Sequence, residues 1–192
     1  MGQSEANWFI ALPLAAAALP EGTLTALPAG TRAFHPADLH VTIAFLGAVG
    51  EDRARDAWAA LTQPPGTAIR ATLGPRAALG PPRRPTALGL ELDAGQPDSD
   101  LTRLIATWRD PLRMAAGLAP ETRAVRPHVT LGRPPRDAAQ QWRRALADWL
   151  EGEIETRVIP LERIALYTRA SSQQPQRFRA VHTLRLGGPR SD

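Results

Sequence analysis

The chain has no cysteine and no lysine; all 23 of its basic residues are arginine. Without cysteine there is no disulfide framework, thiolate metal site or cysteine nucleophile, and the composition suits a cytoplasmic protein. Aromatic residues are scarce at 5%, with a single tyrosine. No uninterrupted apolar stretch reaches the ~18 residues of a membrane span, so no membrane partner is expected. The alanine-rich run from Trp8 to Leu19 has the apolar character of a signal peptide. However, Glu5 precedes it, no arginine or lysine does, and Pro13 interrupts it, so it reads as a first strand. A net charge of +4 and a pI of about 11.0 point toward nucleic acid. An all-arginine basic set also suggests GC-rich coding bias, and the high arginine pKa inflates the pI. Most of these side chains are therefore expected on a solvated surface.

What the chain does have is a short internal repeat. Two of its four histidines stand in matching contexts, His40-Val41-Thr42-Ile43 and His128-Val129-Thr130-Leu131, each leading into a glycine, Gly47 and Gly132. In an extended strand, residues i and i+2 share a face. His40 and Thr42 therefore project together, as do His128 and Thr130. Val41, Ile43 and Phe45 form the opposite, apolar row, which is expected to be buried, with Val129 and Leu131 in the second copy. Imidazole titrates near neutrality, so one histidine can take a proton from water while the other delivers one to a leaving oxygen. Threonine hydroxyls can donate to non-bridging phosphoryl oxygens. No His/Asp/Glu cluster has metal-ligand spacing, so neither a metal nor another cofactor is expected. The substrate this implies is a phosphodiester that opens readily, such as a strained cyclic phosphate.

With these two motifs in their surroundings, the chain resembles the two-histidine (2H) phosphoesterases, and among them the bacterial and archaeal RNA 2′,3′-cyclic phosphodiesterases, once called 2′-5′ RNA ligases. The resemblance spans Trp8-Phe9-Ile10-Ala11-Leu12-Pro13, the approach from Arg32 to Leu39, both motifs, the stretch from Pro81 to Leu88, and Ile164-Ala165-Leu166-Tyr167. It implies an α+β fold of two pseudo-symmetric lobes of antiparallel sheet with outer helices, the His-x-Thr motifs facing across a central groove. Residues 1–192 would be one domain of two intertwined lobes, one motif per lobe. It also implies that His40 is the proton donor to the leaving 3′ oxygen and His128 the proton acceptor from water, leaving a 2′-phosphate. Thr42, Thr130 and Arg133 would hold the phosphate. Strict alternation from His128 puts Arg133 on the wrong face, so it can help only if the strand ends or twists there, as Pro134 and Pro135 would allow.

The wider pattern is alternating strand and helix. Glu51–Leu61, Asp100–Gly117 and Asp137–Leu150 read as helices. Pro111 should kink or split the second, and Asp137 would cap the third. Trp58, Trp108, Trp142 and Trp149 fall at helical spacings that assign them to the core. Strands are expected near Thr67–Leu73, Thr86–Leu92, Leu161–Thr168 and Phe178–Leu186. Prolines and glycines break residues 13–30, where relatives carry a full helix. His35 and His182 have no matching partner and read as structural. Arg83 and Arg84, in a proline-rich loop, are candidate contacts to an RNA backbone. Phe9 and Tyr167, with Phe45 and Phe178, are candidate stacking surfaces.

The leading expectation is thus a monomeric, metal-independent hydrolase acting on RNA with a 2′,3′-cyclic phosphate end, with ATP-independent 2′-5′ joining as its reverse. A second keeps the chemistry but acts on a small cyclic nucleotide, ADP-ribose cyclic phosphate or a 2′-5′ oligoadenylate. A third is a non-catalytic RNA-binding module. Binding alone needs charge rather than a matched pair of imidazoles, which argues against the third.

Overall fold

The computed structural model describes residues 6–62, 67–137 and 139–187. In chain order the elements are β1 (Trp8–Pro13), β2 (Arg32–Ala33), β3 (His40–Gly47), α1 (Glu51–Ala59), β4 (Ile69–Leu79), β5 (Ala87–Leu92), α2 (Asp100–Ala115), β6 (His128–Arg133), α3 (Gln140–Glu151), β7 (Val158–Leu161), β8 (Arg163–Arg169) and β9 (Phe178–Arg185). The fold is α+β. Its nine-stranded antiparallel sheet has the order β7-β4-β5-β6-β3-β1-β8-β9, with β2 added to β6. The order reads as two four-stranded halves meeting where β3 pairs with β6, so the two motif strands are neighbours at the middle of the sheet.

The three helices cover one face. Their apolar stripes, including Leu101, Leu104 and Leu112 of α2 and Trp142, Leu146 and Trp149 of α3, join Val41, Ile43, Val129 and Leu131 in one hydrophobic core. Burying side chains of this size contributes about 1.5–3 kcal/mol each, which fixes which face of β3 and β6 points inward. The other face carries two smaller clusters, Phe9 with Ala11, Ala165 and Tyr167, and Ala77 with Leu79 and Ala87.

Both motif strands contain a one-residue bulge at the same place. Along β3, Ile10 pairs with Ala44 and Ala11 with Thr42, leaving Ile43 extra. Along β6, Leu88 pairs with Gly132 and Gly89 with Thr130, leaving Leu131 extra. An extra residue resets the alternation, so the residues after it change face. The side chains at the fifth position after each histidine, Phe45 and Arg133, consequently return to the histidine face and are exposed. This corrects the expected burial of Phe45, which is 52% exposed. It also supplies the reversal Arg133 needs, by a bulge at Leu131 rather than by the prolines beyond it. Gly89 permits the close approach of β5, since a Cβ there would lie 2.3 Å from the Val129 carbonyl oxygen.

Several prolines sit inside elements rather than ending them. α2 runs unbroken through Pro111, with Leu112 fully buried beside it, so packing outweighs the lost hydrogen bond. β4 continues past Gly74 and Pro75 to Leu79, with a register irregularity there against β5. Pro160 lies in β7, at the sheet edge, where its missing N–H is tolerated. Asp137 does not cap α3; the helix begins after Ala139, with no side-chain cap. Pro13 ends β1, and residues 14–30 form turns and one short 3₁₀ segment, Ala16–Ala18, as their breakers predict.

Candidate active site

Val41 stands opposite Val129 in the β3–β6 pair. Antiparallel register then sets His40 opposite Thr130 and Thr42 opposite His128, all four on the face away from the helices. A cavity of about 670 Å³ opens there, lined by His40, Thr42, Thr130 and Arg133, by Phe9, Phe34, Phe45 and Phe178, and by the segment from Arg169 to Arg177. His128 is half-buried beside this lining rather than in it.

The two imidazoles are held by the same device. His40 Nδ1 lies 2.6 Å from the Asp38 carbonyl oxygen, and His128 Nδ1 lies 2.8 Å from that of Arg126. In each case the acceptor is two residues upstream. A carbonyl oxygen only accepts, so Nδ1 carries the hydrogen and Nε2 keeps its lone pair in the neutral ring. Each motif therefore fixes one tautomer and leaves Nε2 for proton transfer. Burial pushes the His40 pKa down to about 4, the hydrogen bond and charge of Asp38 opposing the shift and the His128 charge adding to it. Burial also lowers His128, opposed by its own backbone bond and by Glu91. Both rings are thus predominantly neutral in the free protein at pH 7.

Around His40 the site is aromatic. Phe9 stacks on the imidazole with ring centroids 4.7 Å apart, Tyr167 stacks behind Phe9 at 5.1 Å, and Phe178 meets His40 edge-on at 5.7 Å. Asp38 is buried to 1% exposure, and its carboxylate accepts hydrogen bonds from the Arg177 and Phe178 backbone N–H groups at 2.9–3.0 Å. One residue thereby holds the imidazole through its carbonyl and fastens the start of β9 through its side chain. Burial raises the Tyr167 pKa to about 12, so its hydroxyl stays protonated throughout the working range.

The His128 side is polar. The residue at the position equivalent to Asp38 is Arg126, paired with Glu91 on β5. Arg133 donates to the Thr86 carbonyl at 3.4 Å. Arg133 and Arg177 both lie over the Phe34 ring, at 6.0 and 5.4 Å from its centroid. Burial and the charges of Arg177 and Arg32 lower the Arg133 pKa. Cations crowded in this way favour an anion between them.

Of the residues expected from the sequence, His40, Thr42, Thr130, Arg133 and Phe9 line one cavity, with His128 adjoining. Tyr167 is not available for stacking on a ligand; it is buried beneath Phe9 and outside the lining. Arg83 and Arg84 line a second cavity that shares Arg133 with the first. His35 accepts a hydrogen bond from Ala37 N and His182 stacks on Trp58, and neither lines the cavity. Sequence reasoning missed Asp38, Phe34 and Arg177. The only signal for Asp38 was its place two residues before His40. Among the described residues, no group of three or more His, Asp or Glu side chains could hold a metal ion, and no helix is long and apolar enough to cross a membrane.

No family model matches the chain, and neither does any curated protein sequence. Solved structures do match over nearly the whole length. Escherichia coli LigT complexed with 3′-AMP aligns with a TM-score of 0.64 at 18% identity, covering 95% of this chain and 99% of that one. A crystal structure described as a phosphoesterase aligns with a TM-score of 0.63 at 19% identity, covering 96% and 99%. TT0787 of Thermus thermophilus gives 0.61 at 20% identity, covering 96% and 100%. The chain therefore has the fold of LigT.

Proposed function

We propose that this chain is a two-histidine phosphoesterase that opens the 2′,3′-cyclic phosphate at an RNA end to a 2′-phosphomonoester, without a metal, and that residues 1–192 act as one domain with a half-site from each half of the sheet. The duplicated half-site carries the reading. Two tautomer-fixed imidazoles, each with a threonine two residues on, share a face that also bears Arg133.

In the reaction, Arg133 and the Thr42 and Thr130 hydroxyls hold the non-bridging oxygens and stabilise the charge that builds on them. His128 Nε2 takes a proton from water as the water oxygen bonds to phosphorus. The bond from phosphorus to the 3′ oxygen breaks, and protonated His40 delivers its Nε2 proton to that oxygen. Solvent then restores the two histidines. In the free protein His40 is hard to protonate, and a bound phosphate anion at close range raises its pKa toward the donor role. A 5′-hydroxyl in place of water would give a 2′-5′ linkage without ATP. Phe45, an exposed ring at the cavity mouth, offers a stacking surface for the terminal base.

The test is hydrolysis of an RNA oligonucleotide ending in a 2′,3′-cyclic phosphate, with EDTA present, and identification of the product isomer. The expected product is a 2′-phosphate, absent with His40→Ala or His128→Ala. No turnover by folded wild type on the oligonucleotide or on cytidine 2′,3′-cyclic phosphate would overturn the reading.

A further inference from the structure

Beside the candidate active site lies a second cavity of about 750 Å³, and no acidic residue lines it. Its arginines come from separate parts of the chain: Arg32 from β2, Arg83 and Arg84 from the β4–β5 loop, Arg133 and Arg136 from the end of β6 and beyond, and Arg143 from α3. Among the described residues, none of the six makes an ion pair. A chain with 19 acidic residues could have supplied partners, as it does for Arg55, Arg103, Arg109, Arg123, Arg126 and Arg157. Coding bias explains why these cations are arginine; it does not explain why so many converge without counter-charge.

The β4–β5 loop is also stiff. Pro81, Pro82 and Pro85 bracket the two arginines, Arg84 N–H donates to the Pro81 carbonyl at 2.9 Å, and Thr86 N–H donates to the Leu79 carbonyl at 2.8 Å. At its base Gly80 has φ +97°, and a Cβ there would lie 2.6 Å from the Thr86 hydroxyl. A loop restricted in this way presents its cations with little conformational freedom left to lose on binding. The opposite wall mixes Arg143 with Leu146 and Leu150, apolar surface suited to sugars and bases.

We infer that this second cavity binds the phosphate backbone of the RNA strand on the 5′ side of the cyclic end, the strand leaving the active site across Arg133. The direction of the strand rests on the proposed reaction; the existence of a polyanion site does not. The cavity makes the enzyme selective for RNA chains over cyclic mononucleotides, which reach only the first cavity. Arg133 belongs to both and sets the boundary between the reacting phosphate and the next.

The experiment compares wild type with an Arg84→Ser/Arg143→Ser double variant, which removes one exposed cation from each wall. Hydrolysis of cytidine 2′,3′-cyclic phosphate is measured beside that of a ten-nucleotide RNA with a cyclic end, and binding of a ten-nucleotide RNA with a plain 3′-hydroxyl is followed by anisotropy over a salt series. Wild type is expected to show a KM for the ten-mer at least tenfold below that for the mononucleotide. The double variant should lose about tenfold or more on the ten-mer and keep both constants for the mononucleotide. Its slope of log affinity against log salt should fall by about 1.4, the loss of two single-strand phosphate contacts. Equal KM values for the two substrates in wild type, or ten-mer binding and salt slope unchanged in the variant, would overturn the inference while leaving the reaction intact. Loss of turnover on both substrates by wild type, with salt-dependent ten-mer binding that the variant weakens, would overturn the reaction and leave this site standing.

Discussion

The two halves of the site have the same backbone and different surroundings. In each, a histidine donates Nδ1–H to the carbonyl two residues upstream, a threonine follows two residues later, and a bulge after it returns the fifth residue to the histidine face. Around that common frame almost every side chain differs. His40 is packed among Phe9, Tyr167 and Phe178, with the buried Asp38 carboxylate beneath, whereas His128 has Arg126, Glu91 and Arg133 nearby. The fifth position is a phenylalanine in one half and an arginine in the other. Duplicated geometry supplies two imidazoles held alike, and the divergent surroundings give one an aromatic flank and the other a cationic one; in the proposed reaction these would face a base and phosphates.

Removing either histidine tests the shared frame and should have the largest effect. His40→Ala and His128→Ala should each lower kcat on a cyclic-phosphate RNA by roughly 10²–10⁴-fold. Comparable losses would support equal duty in the two halves, and a loss confined to one would break the comparison. Arg133→Ala should follow, with a loss on the order of 10²-fold from removing charge stabilisation of the phosphoryl oxygens. Phe45→Ala, at the matching position, should instead raise KM about tenfold and leave kcat close to wild type, as loss of one stacking contact predicts. Steady-state kinetics on one oligonucleotide separates the two.

The difference in anchoring appears in stability. Asp38→Ala strips the Arg177 and Phe178 N–H groups of their buried acceptor and should cost about 2–4 kcal/mol, read by denaturant unfolding. Arg126→Ala, on the exposed counterpart, should cost less than about 1 kcal/mol. The same half also gives stability a pH dependence. His40 has a folded pKa of about 4, below its unfolded value near 6.5, so the unfolded chain binds more protons between those two limits. Stability from this group is complete above about pH 6.5 and falls as pH drops toward 4, by on the order of 2–3 kcal/mol. A His40→Gln variant should flatten that part of the melting curve against pH.

The placement of the two motifs on one face was legible in the sequence because it depends on residue identity at close spacing. Two His-x-Thr motifs in a chain with four histidines are visible without any structure, and alternation places each pair on one face. What alternation cannot supply is a bulge, since an extra residue leaves no mark in the apolar pattern and Ile43-Ala44 and Leu131-Gly132 read like ordinary strand. That single feature decides the faces of Phe45 and Arg133. The expected kink at Pro111 fails for a related reason: the local preference of proline is overridden by the packing of α2, with Leu112 fully buried, and that packing is not written in the neighbouring residues. The side-chain contacts of Asp38 and Phe34 leave no local mark because their partners, Arg177 and Phe178, lie more than 100 residues away in the chain.

The most direct test of the account is the pH dependence of kcat/KM for cyclic-phosphate RNA in EDTA, measured for wild type and for the residual activity of each histidine variant. Wild type should give a bell whose optimum lies below pH 6.5, because both imidazoles titrate below their ordinary value in the free protein. His40→Ala should lose the alkaline fall and keep the acid rise, having no donor to deprotonate, and His128→Ala should do the opposite. If the two variants instead keep the same bell as wild type, the histidines are not the acid and the base, and the duplicated half-site has some other purpose.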